Sequence, residues 1–166
     1  MPNQDTVADL FELAISAERG AEALYTRFTE LFAEHPPVAE FWRVYARQES
    51  MHAEWLEQLA DGLDEDQLAA AADATILKDA QKTLSFSLEQ TLSTIETLED
   101  AYQLASEMEN GETNAVFAFL TEHLAPSDRL RTFLRGQLSD HLNKLLVDFP
   151  LEFQSATLRQ QIKAGR

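Results

Sequence analysis

Six residues are of the wrong type for their positions, and together they suggest a chemistry. Along one segment, inward positions alternate by three and four: 7, 11, 14, 18, 21, 25, 28 and 32. All are apolar or aromatic except Glu18. In a second segment the same spacing places Glu49 and His52 among Val38, Phe41, Trp42, Tyr45, Leu56 and Leu59. In a third, Glu109 and Glu112 fall in line with Leu98, Ala101, Tyr102, Ala105, Val116 and Phe119, whereas Glu107 falls off that line. In a fourth, His141 lies among Leu130, Leu134 and Leu145. An unpaired carboxylate inside a helical bundle costs several kcal/mol, so it must be neutralised, paired or bound to a metal. Carboxylate oxygens with imidazole nitrogens suit iron, manganese or zinc. Glu22, one turn beyond Glu18, reads as solvated. His35 and His123, beside prolines near helix ends, read as surface or capping residues.

The elements that must position these six are helices. Apolar residues recur with helical spacing over residues 6–34, 37–60, 98–124 and 128–147. Thr6 with Asp9, and Thr97 with Asp100, are spaced like capping boxes with Asp in place of Glu. Pro36-Pro37, Asp61-Gly62 and Pro126 are the stop signals. Residues 64–72 read as a short helix, 84–95 as an amphipathic one, and 150–166 as a last short one. The plan is two helical hairpins joined by a crossover of roughly 35 residues that carries the chain to the far side of a bundle. Antiparallel helices of similar length bring their middles to one level, so the six polar residues should converge.

The composition sets limits on function. At 166 residues, with 45% hydrophobic and 25% charged, the chain is expected to form a single domain over 1–166. There are 29 acidic against 13 basic residues, a net charge of −16, which disfavours nucleic acid or an anionic membrane as partner. No apolar run approaches the roughly 20 residues of a membrane span, and no signal peptide is visible, so a cytoplasmic location is the expectation. The absence of cysteine excludes thiolate chemistry, Fe–S clusters and Cys-ligated zinc.

At the residues Ala14-x-x-x-Glu18, Tyr25 and Glu49-Ser-Met-His52, the sequence resembles the ferritin-like superfamily, specifically its rubrerythrin-like branch. That family takes one Glu from each of two helices and a Glu-x-x-His from each of the other two. Ala105-x-x-x-Glu109 echoes Ala14-x-x-x-Glu18, and Gln137-Leu-Ser-Asp-His141 echoes Gln48-Glu-Ser-Met-His52 at an offset of 89, as in a diverged internal duplication. The resemblance covers roughly 6–60 and 97–147, and no rubredoxin-like cysteine domain accompanies it. It implies an all-α ferritin-like four-helix bundle, one or two iron ions (manganese or zinc as substitutes), ferroxidase or peroxidase-type oxidoreduction and a homodimer. In that scheme Glu49 bridges, Glu18 and Glu109 are terminal ligands, and His52 and His141 each cap one metal. The departure is Leu138, which stands where the family's second Glu-x-x-His carries its Glu; Glu112 is the candidate substitute. The rival is a non-catalytic helical scaffold or interaction protein with a degenerate metal site.

Overall fold

The computed structural model describes residues 4–83 and 88–149. Among the described residues, eight helices follow in chain order. They are α1 (Val7–Leu31), α2 (Pro36–Asp61), α3 (Glu65–Ala69), α4 (Ala74–Thr83), α5 (Leu88–Ser93), α6 (Leu98–Glu109), α7 (Glu112–Leu124) and α8 (Asp128–Val147). Among the described residues there is no strand, and the fold is all-helical, with only an isolated bridge between Thr6 and Ala71.

Local chemistry sets the helix ends. Thr6 caps α1 and Thr97 caps α6, each with the reciprocal Asp contact of a capping box, at Asp9 and Asp100. Such a cap contributes about 1 kcal/mol. Pro36 opens α2 at a position where a missing N–H costs nothing. Ser127 caps α8, whose bounds coincide with those expected from the sequence. Helix α1 ends three residues short of the expected 34, at Leu31, where the bonding tightens to i−3: Ala33 N–H turns to Glu30 O and His35 N–H to Phe32 O.

The third long helix is a correction. The sequence pattern reads as one helix over 98–124, but the chain breaks between α6 and α7 at Asn110-Gly111. The Asn110 side chain folds back to Ser106 O at 2.8 Å, and Gly111 adopts an extended conformation as the N-cap of α7. A Cβ on Gly111 would meet Glu107 O at 3.1 Å, so a larger residue there would push that carbonyl back by a few tenths of an ångström. Asn-Gly is a common turn pair, and apolar periodicity on both sides masked it.

The crossover is more ordered than the sequence suggests. Helix α4, unforeseen, begins where Asp73 Oδ1 accepts the N–H groups of Thr75 and Ile76, each at 3.0 Å. It packs on α7 and α1 through Ile76, Leu77 and Ala80. Two backbone bonds tie the crossover to the start of α1, Val7 N–H to Ala70 O and Ala72 N–H to Asp5 O. The expected helix over 84–95 is seen as α5 alone, since 84–87 lie outside the described residues, as does the expected last helix over 150–166.

The bundle of α1, α2, α6–α7 and α8 buries two apolar layers. One is aromatic: Tyr25, Phe28, Phe41, Trp42, Tyr45, Tyr102 and Phe149, with Tyr25 stacked on Trp42 at 5.4 Å. The other contains Leu10, Phe11, Leu56, Phe117, Leu120 and Leu134. Each long helix crosses from one layer to the other at a charged residue. Glu18 lies between Ala14 and Ala21, Glu49 and His52 between Tyr45 and Leu56, and His141 between Leu134 and Leu145; Glu109 ends α6 beyond Ala105. The fold therefore places a polar stratum between two apolar ones.

Candidate metal centre

Glu18, Glu49, His52 and His141 are each only 1% exposed, and Glu109 is 5% exposed. Five residues that the sequence pattern singles out therefore meet in one buried cluster drawn from four helices. The ligand-type atoms of Glu49, His52 and His141 lie within 4.8 Å of one another. His52 Nδ1 is 3.5 Å from Glu49 Oε2 and 3.6 Å from Glu18 Oε2. His141 Nε2 is 2.6 Å from Glu49 Oε1 and 3.0 Å from Glu109 Oε2.

These contacts do not form a satisfied hydrogen-bond network. Glu18 Oε1 and Oε2, Glu49 Oε1, His52 Nδ1 and His141 Nε2 are all buried without a hydrogen-bond partner. An unmade bond at a buried polar atom costs about 1–3 kcal/mol; Glu49 Oε1 and His141 Nε2 meet each other as an ion pair, but the two Glu18 oxygens and His52 Nδ1 are a costly arrangement for a scaffold. The ligand-type atoms of Glu49, His52 and His141 are close enough to share one ion, and Glu18 Oε2 lies beside His52 Nδ1. Ligands about 2.0–2.1 Å from a metal ion sit roughly 3.0–3.4 Å from each other, which is close to the separations observed. The donor set and its spacing fit a metal ion.

The surrounding groups hold the cluster from outside. His141 Nδ1 lies 2.7 Å from Gln48 Oε1, a contact that places the proton on Nδ1 and leaves Nε2 facing the centre. The Tyr45 ring stacks on His141 at 4.1 Å, and its hydroxyl donates to His141 O. Tyr25 donates to Glu109 Oε1 at 2.6 Å, and Asn114 donates to Glu109 Oε2 at 2.8 Å. Phe117 packs against His52 at 4.8 Å. Gln48, Asn114 and the tyrosine hydroxyls are absent from the sequence-level candidates. Gln48 had a signal, since it recurs with Gln137 in the internal repeat. Asn114 had none, because its reach to Glu109 exists only through the break at Asn110-Gly111.

Two candidates stand differently. On a continuous helix Glu112 would share a face with Glu109. The helix is interrupted between them, Glu112 opens α7, and its side chain lies outside the described residues. Leu138 is half-buried. It lines a cleft with Ala115, Ala118 and Phe119 of α7. Trp42 and Tyr45 are fully buried, Trp55 and Met108 are half-buried, and His35 and His123, read from the sequence as surface or capping residues, are exposed.

The electrostatics follow from crowding three carboxylates in a dry site. Burial, then the charge of Glu49, pushes the Glu18 carboxyl well above the ordinary range, so without a cation it keeps its proton. Burial also pushes Glu49 upward, but the contacts with Glu18, His141 and His52 outweigh it and hold Glu49 well below the usual value. Glu109 is raised by burial and by Glu49, against the pull of His141 and Tyr25. Burial alone would lower His141, but Glu109 and Glu49 push it up to about 10. The metal-free cluster is thus a protonated Glu18, an ionised Glu49 and an imidazolium at His141. A metal ion would displace protons from atoms already aimed at it.

The rubrerythrin family model matches residues 9–123, and the chain belongs to that family. No curated protein matches it. Among solved structures it is similar to one from Thermotoga maritima described as a ferritin-like diiron-carboxylate protein. The identity is 20%, the match covers 88% of this chain and 95% of that one, and the TM-score is 0.59. The likeness establishes the ferritin-like fold. Among the described residues no helix is long and apolar enough to cross a membrane.

Proposed function

We propose that the protein binds iron at the buried Glu/His cluster and is a redox protein of the ferroxidase or peroxidase type. The observation that carries this reading is the buried group Glu49, His52 and His141, whose ligand-type atoms lie within 4.8 Å of one another, beside the two unpartnered oxygens of Glu18. Glu18, Glu49, His52 and His141 would hold the ion, with Glu109 at the margin. The solved relative is described as a diiron-carboxylate protein. Here the second metal position is the weaker. Both Glu109 oxygens already have donors, in Tyr25 and Asn114, and no carboxylate stands at Leu138.

When bound, iron supplies the electron exchange with dioxygen or a peroxide. The chain's own groups do the rest. Gln48 fixes the ring of His141 with Nε2 inward, Tyr25 and Asn114 fix Glu109, and the two apolar layers exclude water. Glu18 holds a proton beside Glu49 until a cation replaces it. The scaffold reading would have His141 serve as an ion-pair partner for Glu49 and Glu109, but it leaves Glu18 with two unpartnered oxygens at 1% exposure.

The test is the metal content per chain of protein purified without chelator or added metal, followed by titration of the metal-free protein with Fe(II) under nitrogen. We expect bound iron with fewer than two tight equivalents per chain. Absence of any tight equivalent would overturn the proposal, and two equal tight equivalents would overturn the asymmetry. Replacing Gln48 with leucine should leave the fold intact and weaken metal affinity about 10–100-fold, because the partner that orients His141 is lost. Isothermal titration of that variant checks it; an unchanged Kd would remove Gln48 from the site.

A further inference from the structure

We infer that a small cavity between α2 and α8 is the port through which a divalent cation reaches the centre. This rests on the metal-binding reading above. The cavity, about 80 Å3, is lined by Gln48, Met51, His52, Trp55, Gln137 and Asp140. His52 is its buried wall, and Nδ1 of the same imidazole faces Glu18 and Glu49. Gln48, also on the wall, carries the oxygen that receives His141 Nδ1. The cavity therefore abuts the side chains that hold both imidazoles of the cluster. Three larger clefts, of about 250, 340 and 390 Å3, touch none of the five clustered residues, and the last two are lined in part by arginine.

The lining suits a cation in transit. Asp140 and Met51 are exposed at the rim, and between rim and wall lie the side-chain amides of Gln48 and Gln137. A carboxylate, the Gln137 amide oxygen and a thioether can replace hydration water in stages, and no basic side chain lines the path. The volume holds a partly dehydrated ion but not an organic substrate of ordinary size. A net charge of −16 draws cations to the surface in general; the port decides where one can enter. An entering ion meets His52 first.

The experiment separates the rate of loading from its end point. Metal-free protein is mixed with Co(II) in a stopped-flow instrument, and uptake is followed by the visible absorption of the bound ion. Stoichiometry is then measured at equilibrium. Asp140→Asn should slow uptake about threefold at low ionic strength, with a smaller effect in high salt. Met51→Trp, which plugs the rim, should slow it further. Both should retain the unmodified protein's final stoichiometry, and Glu34→Gln, an equal charge change at an exposed site elsewhere, should load at the unmodified rate. Unmodified rates in both rim variants would overturn the port and leave the metal centre standing. A lowered stoichiometry in Asp140→Asn would make Asp140 part of the site itself and overturn the port as drawn. Failure of the unmodified protein to take up Co(II) would overturn the centre and the port together.

Discussion

Glu18→Leu should make the metal-free protein more stable and abolish tight metal binding. The two effects have one cause. Glu18 is 1% exposed, and neither of its oxygens has a hydrogen-bond partner. Folding strips this carboxyl of water and returns nothing unless a cation fills the centre. Its neighbours on the helix are Ala14 and Ala21, with the apolar layers on either side, so leucine replaces a group of similar length in a setting that accepts it. Exchanging a buried, unpartnered polar group for an apolar one of similar volume removes a desolvation cost of about 1–3 kcal/mol. With Fe(II) present the ranking should reverse. The unmodified protein gains stability from a ligand that binds only the folded state, about 2.7 kcal/mol at a hundredfold excess over Kd, and the variant gains little. Urea denaturation of both proteins, with chelator and with Fe(II), checks this. If Glu18→Leu were destabilising with chelator present, the carboxyl would be a structural partner and the metal reading would lose the support of its two unpartnered oxygens.

Which parts of this molecule were legible in the sequence depends on how local their causes are. Caps are local: Thr6 and Thr97 sit three residues before their aspartates, and both boxes form. Burial of a charge on an apolar stripe is nearly as local. Spacing by three and four was enough to place Glu18, Glu49, His52, Glu109 and His141 inside, and four helix middles at one level could only bring them together. The extrapolation failed where one residue changed the phase. Asn110-Gly111 ends α6, so Glu109 and Glu112 do not share one continuous helix. The groups around the cluster were illegible for a different reason. Asn114 reaches Glu109, Tyr25 reaches Glu109 across 84 positions, and Gln48 reaches His141 across 93, so each contact exists only after the helices have packed. Helix α4 escaped notice because its packing on α7 and α1 lies on the crossover, far along the chain from both partners.

Raising the pH should destabilise the metal-free protein while increasing the stability gained from metal. His141 has its folded pKa pushed up to about 10 from 6.5 by Glu109 and Glu49, against the effect of burial. A raised value means that the folded state holds the proton more tightly than the unfolded chain. The stability this contributes is fully present below about 6.5 and is lost as pH rises toward 10. Glu18 and Glu109, raised by burial and by Glu49, act in the same direction from about 4.5 upward, because the unfolded chain releases these protons first. Glu49 is held low by His141, His52 and Glu18 against burial, so its contribution is lost only in acid, as pH falls below about 4.5. Above pH 6.5 Glu49 contributes no further change, the raised values of Glu18 and His141 act in one direction, and each proton that the folded state retains costs up to about 1.4 kcal/mol per pH unit. A metal ion competes with protons for the same atoms, Glu18 oxygen and His141 Nε2, so its affinity should rise over the same range. Melting temperatures at pH 5.5, 7 and 8.5, with chelator and with Zn(II) as a redox-silent probe, should therefore diverge: the chelated protein falls, and the gap between the two curves widens. A chelated protein whose Tm is flat or rises between pH 6.5 and 9 would mean that these groups do not share a buried proton. The cluster would then be open to water in a way its 1% exposures do not allow.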